Sequence, residues 1–171
     1  MDQIINMFQE FMGQLGIAPL LAGILAGIMF FSAFLILFYL ALAIGLYRMA
    51  LKKEEPNAWI AFIPIVQFYM IGQLLETVKL GNTEIHRPNL SYLFVAIALA
   101  PFVLGDIPII GALLVLFSLV AYFIGFHYLF HRYSRFDVVL TVLNVLTLGL
   151  ASAFIVLAIS ANEQVREETL E

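Results

Sequence analysis

Apolar and polar positions follow a helical period only at the start of this chain. Residues 2–15, placed at about 100° per residue, put Ile4, Ile5, Met7, Phe8, Phe11, Met12 and Leu15 on one arc of about 160°. Asp2, Gln3, Asn6, Gln9, Glu10, Gly13 and Gln14 fill the other side. The pattern predicts an amphipathic helix over residues 1–16, lying in the plane of a membrane interface or on the rim of its own protein. Further on the period is lost because nearly every position is apolar. Runs without Asp, Glu, Lys or Arg cover 11–47, 56–75, 88–105, 107–128 and 138–162.

A crossing helix needs about 20 apolar residues. The runs predict crossings over residues 20–47, 90–104, 109–131 and 138–159, within one transmembrane domain over 17–171. Pro19 suits a first helical turn, where its missing N–H costs nothing. Gly105-Asp106-Ile107-Pro108 is a turn signal that joins the second and third crossings in a hairpin. Gly23 and Gly27, echoed by Ala41 and Gly45, form small faces that let helix backbones approach. The first expectation for them is a neighbouring helix of the same chain.

The run 56–75 is different. Pro64 sits at its centre, removing a backbone bond and pushing Ile63 out of helical geometry. Two half-helices are expected, over 58–62 and 65–75, joined at Ile63 and Pro64. Trp59 and Tyr69 suit the headgroup level. The basic residues bear on its course. If 56–75 crosses, Arg48, Lys52, Lys53 and Arg166 face Lys79, Arg87, Arg132 and Arg135 across the bilayer, with no bias. If it dips in and returns, all but Arg166 share one side. The positive-inside rule selects the second arrangement. It predicts four crossings, both termini outside, and a 58–75 segment that is either re-entrant and shielded by protein or shallow in the interface.

Composition fits this all-α integral membrane protein. Hydrophobic residues make up 63% of the 171 and charged residues 12%, with no cysteine and a net charge of −4. Soluble domains carry about 25% charged residues. An ordinary soluble enzyme, a disulfide scaffold and a nucleic-acid binder are excluded, the last because no basic stripe exists.

The stretch Pro56-Asn57-Ala58-Trp59-Ile60-Ala61-Phe62-Ile63-Pro64-Ile65, followed by Tyr69 and Gly72, resembles a loose group of small multi-pass membrane proteins of Gram-positive bacteria. That group carries a Trp-x-x-Phe-Ile-Pro motif between a first helix and a later hairpin. The likeness covers about residues 46–75 and extends more loosely to the 131–135 loop. It implies a bacterial plasma membrane and an architecture, and no particular chemistry.

Groups that carry chemistry are few. His127 and His131 stand at i, i+4 on one helix face, a spacing that can hold a metal. The plainer reading is that they and Arg132 complement the helix dipole and meet lipid phosphates. Ser32, Ser118 and Ser152 are expected to bond back to carbonyls of their own helices. Thr141, Asn144 and Thr147 lie along one face of the last helix. They join helices or, with Gln67 opposite, line a polar path. No cofactor is expected.

The leading functional expectation is a non-enzymatic membrane protein that works by assembly, with itself or as a small subunit of a membrane transport or secretion complex. Trp59, Pro64, Gln67, Tyr69 and Asn144 are the candidate partner or ligand contacts. An oligomeric pore lined by the re-entrant segment and the last helix is one alternative. A metal-dependent enzyme at the cytoplasmic rim, using His127 and His131, is another. The expected partners are the lipid bilayer and a second membrane protein or copy.

Overall fold

The computed structural model describes residues 1–14, 16–80 and 83–162. Leu15 of the amphipathic arc and Arg166 of the charge count lie outside these. The described chain is mostly helical. It holds α1 (Asp2–Gln14), α2 (Ile17–Lys52), a 3-10 helix (Ala58–Phe62), α3 (Gln67–Leu75), β1 (Thr77–Leu80), β2 (Thr83–His86), α4 (Asn89–Leu104), α5 (Pro108–Tyr133), α6 (Asp137–Leu146) and α7 (Ser152–Ile159). Among the described residues, two helices are long and apolar enough to cross a membrane, Pro19–Lys52 and Pro108–Tyr133. The chain packs as two units, Met1–Leu37 and Phe38–Glu171.

In the first unit α1 exposes Ile4, Ile5, Met7, Phe8 and Phe11. Every side chain described from 19 to 33 in α2 is exposed as well.

The second unit has its core at one end. It is built from Leu42, Leu46 and Met49 of α2, Met70, Ile71 and Leu74 of α3, Phe126, Leu129 and Phe130 of α5, and Ala153 and Val156 of α7. These positions fall in the last turns of α2 and α5, the same turns that lead into basic residues. Two glycines allow the close packing. A Cβ at Gly72 would lie 2.7 Å from the Ser91 backbone nitrogen, so α3 meets α4 backbone to backbone. A Cβ at Gly45 would lie 2.9 Å from the Leu157 nitrogen, so the Ala41/Gly45 face seats α7.

The Pro64 break lies where the sequence predicts it. The 3-10 helix ends at Phe62, Ile63 is extended, and α3 begins only at Gln67. Between them Ile65 holds φ 66°, a left-handed conformation that is rare for a β-branched residue. The two ends of the segment meet: Lys53 Nζ lies 2.5 Å from Glu76 Oε1, and Arg87 Nη1 lies 2.6 Å from Glu55 Oε1. At its inner tip the Tyr39 hydroxyl donates to the Phe62 carbonyl. The segment therefore starts and ends beside the last turn of α2.

Residues 138–159 correct the expectation of a fourth continuous crossing. The helix stops at Leu146 and restarts at Ser152. Leu148 adopts φ 52° and Gly149 φ 90°. The Leu148 N–H donates to Val145 O at 3.0 Å and the Gly149 N–H to Asn144 O at 2.7 Å, the two bonds of a Schellman C-cap. The Thr147 hydroxyl then accepts the Ala151 N–H at 3.0 Å and starts the return. The Tyr122 hydroxyl holds this turn, donating to Gly149 O at 3.1 Å and pairing with Ser152 Oγ. Tyr122 lies eleven residues before the end of α5, about 16 Å along its axis. Both open ends of the α6–α7 pair sit beside the end of α5. Asp137 binds His131, and Asn162 Nδ2 donates to Tyr133 O at 3.2 Å. Lys52 Nζ, at the end of α2, donates to Ala161 O at 2.6 Å and Asn162 O at 3.0 Å.

Two further differences concern α4 and the stretch before it. The all-α expectation is corrected by the β1–β2 hairpin, whose register pairs Val78 with Ile85 and Lys79 with Glu84. The Gly81-Asn82 dipeptide between two four-residue strands is the signal for it. Pro101 lies inside α4 without ending it. Having no N–H, it leaves the Ile97 carbonyl without its helical donor, and Ser118 Oγ on α5 supplies one at 2.8 Å. Ser118 thus bonds across to α4 and not back along its own helix.

Candidate functional site

Polar side chains of the second unit gather at the end where α2, α3, α5 and the hairpin meet. The last carbonyls of any helix lack intrahelical donors and carry partial negative charge. At the end of α3 two cations supply both needs. Arg132 donates from Nη1 to Leu74 O at 3.3 Å and to Leu75 O, and from Nη2 to Glu76 Oε2 at 2.9 Å. Lys53 Nζ donates to Leu74 O at 3.0 Å and to Glu76 Oε1. Glu76 is the C-cap of α3 at φ 59°, with its carboxylate shared between the two cations. Its own carbonyl accepts the Arg87 N–H at 2.7 Å, which seats the hairpin. The Tyr128 hydroxyl adds a bond to Lys79 O at 2.8 Å. Arg132 is buried, and its Nε has no hydrogen-bond partner. The expectation that Arg132 meets lipid phosphate is therefore corrected: its guanidinium turns inward to α3.

Burial alone raises the Glu76 carboxyl, but the Lys53 hydrogen bond and the charges of Lys53, Arg132 and Arg87 outweigh it and hold the group below the usual carboxylate range. Burial pushes the Lys53 ammonium down, and the Glu76 hydrogen bond offsets this only in part. A carboxylate whose pKa is lower in the folded state adds stability above its unfolded value. That stability is lost as pH falls through the folded value. The part of the melting temperature that Glu76 supplies, read as the difference between the parent and Glu76→Gln, should thus hold from neutral pH down to pH 4.5, the ordinary value for this carboxyl, and shrink below it. Glu76→Gln should start lower and show a shallower acid decline. Equal acid declines in the two proteins would remove Glu76 from the account.

The residues singled out from sequence fall into distinct settings. Trp59, on the 3-10 helix, and Pro64, at the tip, are exposed. Tyr69 packs on Tyr92 of α4 with ring centroids 5.7 Å apart. Gln67 is buried, and its Oε1 lacks a hydrogen-bond partner. Asn144 lies in the other fold-back segment, also buried and with Oδ1 lacking a partner, so the two amides are not joined through these oxygens. Thr141 accepts or donates at 2.8 Å with His127 Nδ1, and Thr147 bonds within its own turn. His131 Nδ1 binds Asp137. His86 pairs with Thr77 Oγ1 at 2.9 Å across the hairpin. Among the described residues no group of three or more His, Cys, Asp or Glu side chains is placed to hold a metal.

The Lys53–Glu76–Arg132 network escaped the sequence reading. Its signal was indirect: Glu76 is an acid that directly follows a charge-free run. Nothing local pairs it with a basic residue more than fifty positions away. No protein-family model, curated protein or solved structure matches the chain.

Proposed function

We propose that this is a non-enzymatic integral membrane protein that works by assembly, as a homo-oligomer or as a small subunit of a larger membrane complex. In this reading α2, α4 and α5 cross the bilayer, while 58–75 and 137–159 are re-entrant pairs entering from the cytoplasmic side, so Asn162 lies on that side and the proposal departs from the expectation of both termini outside. The resemblance of the 56–72 stretch supports a bacterial plasma membrane. α4 has 16 residues, about 24 Å of helix, and suits a slightly thinned bilayer. All seven described basic residues then lie at the cytoplasmic end, in keeping with the positive-inside rule.

The observation that carries the assembly reading is the first half of α2. Within its unit nothing packs on the Gly23/Gly27 face, and a Cβ at either position would meet nothing within 4 Å. This departs from the expectation of an intramolecular neighbour for these two glycines. Small faces of this kind let a second helix approach closely in lipid, where hydrophobic burial alone supplies no driving force. Trp59 and Pro64, exposed in the second unit, are the proposed partner contacts there.

Because the chain has no cysteine, single cysteines report cleanly. Cysteine at Gly23 or Gly27 should crosslink to a second copy or another protein in native membranes. Failure at every exposed position from 19 to 37 would overturn the assembly reading. Topology is tested separately with impermeant labels. Thr83, Arg135 and Asn162 should label from one side and Asp106 from the other. If Asn162 labels with Asp106, residues 137–159 cross after all.

A further inference from the structure

We propose that the cavity between α4 and α5 is a binding site for one acyl chain of a membrane phospholipid. The cavity holds about 410 Å³, within the range of about 300–1,000 Å³ usual for ligand sites, which recur between the helices of bundles. Its wall runs from Phe94 to Phe102 on α4 and from Val115 to Tyr122 on α5, with Phe68 added from α3. That is about 12 Å and about 10 Å along the two helix axes.

The chemistry of the wall selects the occupant. Ser118 and Tyr122 are the polar side chains in it, and the rest are aliphatic or aromatic. Both hydroxyls are committed within the protein. Ser118 Oγ donates to Ile97 O, the carbonyl that Pro101 leaves without a helical donor, and the Tyr122 hydroxyl donates to Gly149 O and pairs with Ser152 Oγ. A buried water needs about 2–4 polar partners, and an apolar cavity that lacks them stays dry and takes up apolar molecules instead. Phe102, Val115 and Leu119 are exposed, so the cavity opens outward along the helix pair. Crossing helices tilt by about 20° from the bilayer normal, the direction along which acyl chains lie, so the long dimension of the cavity accepts a chain lengthwise. This orientation rests on the reading that α4 and α5 cross the bilayer. The wall carries no charged side chain, so the lipid headgroup stays outside the site and its identity does not matter.

The test uses the full chain reconstituted in phosphatidylcholine vesicles, re-extracted in mild detergent and examined by native mass spectrometry for retained lipid. One phospholipid should stay with each chain, and phosphatidylglycerol vesicles should give the same count. Ala98→Phe and Ala121→Phe put a ring into the cavity from either wall and should each lose that lipid. Ala96→Phe, at an exposed position of α4 outside the wall, should retain it. The filled variants should melt at or above the parent, which separates filling from unfolding. Where a ring does not fit, Ala98→Leu and Ala121→Leu repeat the comparison with smaller side chains. The proposal is overturned if the parent retains no lipid, or if the filled variants retain as much as the parent. It is also overturned if a cysteine at Ala98 crosslinks to a second copy, which puts a helix where the chain should lie. Asp106 and Thr83 labelling from the same side, with lipid still displaced by filling, would overturn the crossing reading and uphold the apolar site.

Discussion

Replacing Arg132 with alanine should destabilise the protein by about 1.5–3 kcal/mol, the usual worth of hydrogen bonds made by a charged group, because the Glu76 side chain is 38% exposed and keeps Lys53. Arg132 is 8% exposed, and its guanidinium contacts three acceptors at once, Leu74 O, Leu75 O and Glu76 Oε2. Its loss leaves the end of α3 with Lys53 alone, and Lys53 reaches only Leu74 O and the other carboxylate oxygen. Arg132→Lys should recover part of the loss. It keeps the charge, but its single ammonium cannot span a backbone carbonyl and a carboxylate in the planar fork that arginine presents. Reversible unfolding in mixed micelles measures both variants. A loss below about 1 kcal/mol for Arg132→Ala, the range of exposed pairs, would mean that the end of α3 is held by packing and not by this residue.

Gly72→Val should be more damaging than a substitution at Gly45 or Gly23, by at least the 1–3 kcal/mol typical of an overpacked core. A Cβ there runs into the Ser91 backbone, which cannot swing aside as a side chain can. α3 would have to lift off α4, pulling the Tyr69–Tyr92 contact apart. Gly45→Val should also be harmful, because its Cβ meets Val156 Cγ1 at 2.8 Å and the backbone of Leu157 at 2.9 Å. Gly23→Ala meets nothing and should be neutral or gain up to about 1 kcal/mol of helix propensity in the isolated chain. Thermal melts of the three variants give the order directly. Equal effects at Gly72 and Gly23 would show that α3 and α4 do not pack backbone to backbone. A harmful Gly23→Ala confined to native membranes would instead point to a helix seated on that face.

Much of the fold was legible along the chain, for identifiable reasons. The amphipathic α1 shows in its arc because one side of the helix must be polar. The break before α3 shows because proline cannot continue a helix, and the turn before α5 because Gly105 and Pro108 punctuate it. The two ends of 56–75 meet through the Lys53–Glu76 bond, a pairing that the spacing of the charges along the chain does not announce. The candidate contacts were legible as residue types only. Trp59 and Pro64 are exposed, whereas Gln67 and Asn144 are buried, and no pattern in the sequence separates the two cases.

Other features depended on the tertiary structure. Residues 138–159 have the length and apolarity of a crossing, and a helix that folds back on itself in apolar surroundings has the same composition. Periodicity reports a contrast between two environments. Where protein and lipid are equally apolar, the contrast vanishes and the signal with it. The reversal at Leu148 and Gly149 needed two successive residues at positive φ, a Schellman cap and the Tyr122 hydroxyl, which comes from a different helix. Ser118 was expected to bond back along its own helix, yet it satisfies the Ile97 carbonyl that Pro101 leaves without a donor on α4. Arg132 read as a surface cation, yet it is buried because α3 presents carbonyls and Glu76 at the one place it can reach. Local propensity by itself determined the amphipathic α1, the break at Pro64 and the turn before α5. Which carbonyl each polar side chain satisfies, and so which segments turn back, was decided by contacts between residues far apart in sequence.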